Sequence, residues 1–141
     1  MSTIHEISEM LIQIKNSDCF YADADDILAT YSGDMMNFSD FEVMFNFIEN
    51  NPTLDYGAPG PIVHFMEHFY SNEYNEALKQ SILRIPTELT LWMLNRVINA
   101  LDDERKSEFI SLLREVESME ISQELKDEAN SLIEYQRKKF L

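Results

Sequence analysis

Pro86-Thr87-Glu88-Leu89-Thr90-Leu91-Trp92-Met93-Leu94-Asn95-Arg96-Val97-Ile98-Asn99-Ala100-Leu101 is the stretch that decides the fold. A proline at its head suits a first helical turn, where a missing N–H costs nothing. Leu89, Leu91, Trp92, Met93, Leu94, Val97, Ile98 and Leu101 then cover nearly the whole circumference of a helix. A helix apolar nearly all round is expected at the centre of a fold, packed on several neighbours.

The flanking segments read the same way. Tyr74, Ala77, Leu78, Ser81, Ile82 and Ile85 mark a helix over 73–85. Ile62, Phe65, Met66 and Phe69 mark one over 61–71, with Pro61 in its first turn. Phe109, Ile110, Leu112, Leu113 and Val116 mark one over 103–118, and Ser122 caps a last helix. Toward the N-terminus, Ile4, Ile7, Leu11 and Ile14 form a stripe capped by Ser2 or Thr3. Residues 21–31 make a shorter helix, with early Asp residues suited to its dipole. Ser39-x-x-Glu42 has the form of a capping box before Phe41, Met44, Phe45 and Ile48. The longest irregular stretch is Thr53 to Gly60. The expected class is all-α, with about eight helices in one domain over 1–141. From Pro59 onward the helices arrive in pairs, 61–71 with 73–85 and 86–101 with 103–118. Two architectures stay open: a single-domain helical bundle, or a short right-handed HEAT-like stack of helix pairs.

A chain of 141 residues can bury roughly two-thirds of its unfolded surface, so it needs no metal or disulfide staple. Cys19 is the only cysteine, which excludes an intramolecular disulfide and suits a reducing cytoplasm; its expected setting is partly buried. The N-terminus lacks a basic stretch followed by an apolar run, and no apolar run approaches a membrane span. A cytoplasmic protein with no membrane partner is expected.

Charge is the unusual feature. The chain carries 26 acids against 11 bases, for −15. Residues 1–58 hold 11 acids and one base, Lys15, while 59–101 hold four acids and three bases. Residues 102–141 hold 11 acids and seven bases. Such a balance repels free nucleic acid and attracts a basic protein. Residues 59–141 read as scaffold, and the acidic N-terminal part as the interacting region.

Catalytic signals are thin. His64-x-x-Glu67-His68 matches an inverted zinc-protease pattern, with both imidazoles on one helical face. It needs a third ligand, for which Glu124, Asp127, Glu128 or Glu134 would have to serve. Phe65, Met66 and Phe69 mark the same helix as a packing element instead. Asp23, Asp25 and Asp26 lack the glycine and closing glutamate of a calcium loop. No phosphate-cradling glycine motif and no nucleophile elbow are present. No enzyme activity, metal or cofactor is expected. Asn95, Arg96 and Asn99 on the greasy helix predict an internal polar network, since a buried arginine must be paired. Tyr21, Tyr31, Tyr56 and Tyr70 lie beside breaks or acids and suit anchoring of a basic partner.

Two segments carry a family resemblance: Gly57-Ala58-Pro59-Gly60-Pro61-Ile62-Val63-His64-Phe65-Met66-Glu67, and Arg84-Ile85-Pro86-Thr87 with Thr90-Leu91-Trp92-Met93-Leu94-Asn95-Arg96-Val97-Ile98-Asn99. Together, over roughly residues 54–115, they resemble small helical immunity proteins of bacterial polymorphic-toxin and contact-dependent growth inhibition systems. The resemblance implies a cytoplasmic protein that binds one cognate toxin C-terminal domain and neutralises it. Many such toxins are nucleases with basic clefts, which an acidic surface would occupy. The contact candidates are Asp23, Asp25, Asp26, Asp34, Asp40, Glu42, Asp55 and Tyr56. The alternative is a helical-repeat adaptor or scaffold for another protein or peptide.

Overall fold

Eight helices follow one another in the computed structural model: α1 (Ile4–Ile14), α2 (Phe20–Leu28), α3 (Phe38–Asn50), α4 (Pro61–His68), α5 (Asn72–Arg84), α6 (Glu88–Ala100), α7 (Asp103–Glu117) and α8 (Gln123–Phe140). The structure describes residues 1–140, with side chains through residue 139. Among these there is no strand. A single bridge joins Ser2 to Tyr31 and ties the N-terminus to the end of α2. There the Ser2 N–H donates to the Thr30 carbonyl (2.6 Å), and the Ser32 N–H donates to the Ser2 carbonyl (2.9 Å).

The helix starts follow their capping chemistry. Thr3 and Glu6 form a reciprocal box on α1, and Thr87 and Thr90 form one on α6. Asp102 caps α7, and the Ser122 hydroxyl accepts from the Leu125 N–H before α8. The α3 start corrects the sequence reading. Its box is Asn37 with Asp40, not Ser39 with Glu42. Two overlapping four-residue patterns compete there, and the upstream one brings Phe38 into the helix. Pro61 takes the first turn of α4, as expected. Gly60 before it has φ of 87°, and a Cβ there would collide with the Tyr56 carbonyl, so only glycine suits this turn.

The chain divides into two compact units, Met1–Ala77 and Leu78–Leu141, with the boundary inside α5. In the first, α1 packs on α2 and α3, and α2 packs on α4. Its core is aromatic: the Tyr74 ring receives Phe41 at 5.4 Å and Phe45 at 6.1 Å, all three fully buried. Each such side chain contributes roughly 1.5–3 kcal/mol of hydrophobic burial. In the second unit α6, α7 and α8 pack mutually, around Leu91, Leu94, Ile98, Phe109, Leu113 and Ala129. The packing is that of a bundle. A stack of consecutive pairs would set α4 chiefly against α5, whereas α4 packs on α2.

Two further expectations are corrected. Trp92 is 51% exposed, although α6 is otherwise largely buried. Within its unit α6 has α7 and α8 as its principal neighbours, so one side of a nearly all-apolar helix stays uncovered. Cys19 is exposed rather than partly buried.

Candidate protein-binding surface

Helix α2 buries Phe20, Ala24 and Leu28, one per turn, which turns Tyr21, Ala22, Asp25 and Asp26 outward. Tyr21 is 44% exposed, and its hydroxyl donates to the Asp55 carboxylate at 2.6 Å. Asp55 also accepts the Gly57 N–H at 3.0 Å. These two hydrogen bonds, the tyrosine's first, hold the Asp55 carboxyl below the ordinary carboxylate range. The same bond raises the Tyr21 hydroxyl. Asp55 is thereby fixed to Tyr21, which lies one turn before Asp25 on the outer face of α2.

The eight candidate residues divide by setting. Asp25, Asp26, Asp34 and Asp55 are exposed. Asp23 is half-buried and accepts from the Ser17 hydroxyl (2.7 Å), closing the turn before α2. Asp40 is half-buried and caps α3 by accepting the Asn37 N–H at 3.1 Å. Glu42 is half-buried on α3. Tyr56 is corrected: it is 4% exposed, packs edge-on against Phe47, and donates to the Asn51 carbonyl at 2.7 Å. Burial pushes its hydroxyl well above the ordinary tyrosine range. Its surroundings form part of the core, which removes it from the contact set.

Sequence reasoning singled out Tyr31 but missed its grouping with Phe65 and Phe69. Tyr31, Phe65 and Phe69 form three mutual edge-to-face pairs, with centroids 5.5, 5.4 and 5.4 Å apart, and all three are half-buried. His68 adds its ring to Phe69 at 4.9 Å. The Tyr31 hydroxyl donates to the Met35 carbonyl at 2.8 Å. Burial and then the charge of Asp40 raise its pKa. The loop closes over the phenol because residue 33 is glycine; a Cβ there would run into the Tyr31 ring and hydroxyl. Met35 is left 72% exposed beside Asp34. The available signal was the four-residue step from Phe65 to Phe69 next to exposed His64 and His68, which marks a stripe at the edge of the buried face.

Residues 1–77 hold 14 acids and a single Lys or Arg, for −13. That base, Lys15, donates to the Asn51 side chain at 3.4 Å. Residues 78–141 hold 12 acids and ten bases, for −2. The acidic concentration thus extends beyond residue 58 to the end of the first unit.

No family model, curated protein or solved structure matches the chain.

The remaining sequence candidates fall elsewhere. His64 and His68 are exposed on α4, and among the described residues no group of three or more His, Cys, Asp or Glu could hold a metal. No described helix is long and apolar enough to cross a membrane. Of the polar network expected around Asn95, Arg96 and Asn99, the two asparagines are joined through a centre the sequence did not mark, while Arg96 is half-buried rather than buried. Gln136 is fully buried and donates to Asn95 at 2.7 Å and to Asn99 at 2.9 Å. Lys139 also donates to Asn99, at 2.9 Å. This clamp joins α8 to α6.

Proposed function

We propose that this chain is an immunity protein that neutralises a cognate bacterial toxin domain in the cytoplasm by binding a basic surface of it. The observation that carries the reading is the −13 gathered on residues 1–77. Asp25, Asp26 and Asp55 are displayed on it around an exposed tyrosine. One cationic side chain in that unit leaves its own bases able to neutralise at most one of 14 acids. Such a field accelerates encounter with a basic partner, and a nuclease cleft built to hold phosphates is one. The amphipathic Tyr21, held by Asp55, supplies contact area that the carboxylates lack.

The test is co-expression with the C-terminal domain of a large secreted protein, where one is encoded upstream, scored by growth rescue and co-purification. Rescue is expected with the wild-type chain. The double substitution Asp25→Lys with Asp26→Lys should slow association and flatten its salt dependence. Unchanged binding and salt dependence in that variant would sink the surface assignment.

A further inference from the structure

We infer that the Tyr31–Phe65–Phe69 group is the anchoring surface for an arginine of a basic protein partner, with Asp34 and Met35 in the adjoining loop. This inference rests on the basic-partner reading above and names where and by what chemistry the partner is gripped. Three half-buried rings in mutual edge-to-face contact keep part of their aromatic area in solvent. A guanidinium stacks on aromatic faces and at the same time offers its fork to a carboxylate. Asp34 is exposed in the loop that closes over Tyr31, and the charge of Asp40 reaches the Tyr31 hydroxyl.

The surface is built rather than incidental. Gly33 lets the loop fold onto the phenol, and the Tyr31 hydroxyl fixes that loop through the Met35 carbonyl. The Ser2 bridge holds Tyr31 itself from the other side. The same closure puts the Met35 thioether in solvent, 72% exposed, where it can cover the aliphatic stem of an incoming arginine. The occupant follows from charge. The unit around the rings carries −13, which disfavours an acidic visitor and favours a cation, and the rings favour one with a flat, weakly hydrated head.

The experiment titrates the full chain with a short oligo-arginine peptide and its oligo-lysine counterpart, followed by methyl and aromatic NMR. Oligo-arginine is expected to shift the Met35 methyl and the Tyr31, Phe65 and Phe69 rings most. Phe69→Leu keeps apolar bulk without a π face and should weaken oligo-arginine binding about tenfold, and oligo-lysine less. Met35→Ala, at an exposed side chain, tests the adjoining loop without disturbing the fold and should also weaken oligo-arginine. Shifts confined to the Tyr21 ring beside Asp55, with the Tyr31, Phe65 and Phe69 rings unmoved, would overturn the anchor and leave the basic-partner reading standing. Absence of binding by either peptide at low salt would overturn both. Equal affinity of wild type, Phe69→Leu and Met35→Ala for oligo-arginine would overturn the anchor alone.

Discussion

Residues 1–77 hold 12 of the 16 Phe, Tyr and Trp residues, all three glycines and 14 of the 26 acids; residues 78–141 hold ten of the 11 bases and no glycine. The first unit packs large rings under an acidic surface and places its glycines in the loop against Tyr31 and in the tight turn after Tyr56. The second packs mainly aliphatic side chains between α6, α7 and α8 and adds one buried amide clamp. Aromatic rings bring much buried area per residue, so a unit carrying 14 acids can still assemble a core. That surface repels itself, a cost that salt relieves. The second unit, close to charge balance, carries little of that repulsion.

The sharpest way to break this contrast is Phe41→Ala. The side chain is fully buried against Tyr74, and its loss should cost about 3–5 kcal/mol. Residue-resolved hydrogen exchange under mild denaturant should show the loss concentrated in residues 1–77. An equal loss of protection across 78–141 would mean that the two units unfold as one. The counterpart in the second unit is Gln136→Leu, which strips the buried clamp and leaves Asn95 without its donor. Chemical denaturation should register about 1–3 kcal/mol, with the first unit's exchange unchanged. The smallest effect concerns the acidic face. Asp55 titrates below the ordinary carboxylate range in the folded chain, so its contribution to stability is complete above that range and lost as pH falls through the lowered value. Tyr21→Phe removes the main cause. Carboxyl NMR should then find the Asp55 titration moved up toward the ordinary range, and an unmoved titration would remove Tyr21 as its cause.

Helical periodicity made the fold legible. The expected spans of α1 and α5 to α7 lie within two residues of their observed bounds, and Thr3 and Ser122 announced the caps of α1 and α8. What failed depended on choices between neighbours. Asn37 displaced Ser39 as the α3 cap because the two patterns overlap and periodicity does not choose between them. Trp92 stayed outside because the number of helices packed on α6 is not written in α6. The acidic surface was visible as composition, but which acids serve it was not. Asp40 is committed to capping, and Tyr56 turned inward to find the Asn51 carbonyl, both consequences of loop geometry. Tyr31 was singled out, but its grouping with Phe65 and Phe69 was hidden because the three rings come from two segments more than 30 residues apart in sequence.

The exposed Trp92 has an optical consequence. It is the chain's only indole, sits half in water, and belongs to the second unit, whereas five of the six tyrosines belong to the first. Quenchable tryptophan emission therefore watches residues 78–141, and near-ultraviolet tyrosine dichroism watches residues 1–77. A single unlabelled sample carries two separate reporters, one for residues 78–141 and one for the acidic first unit.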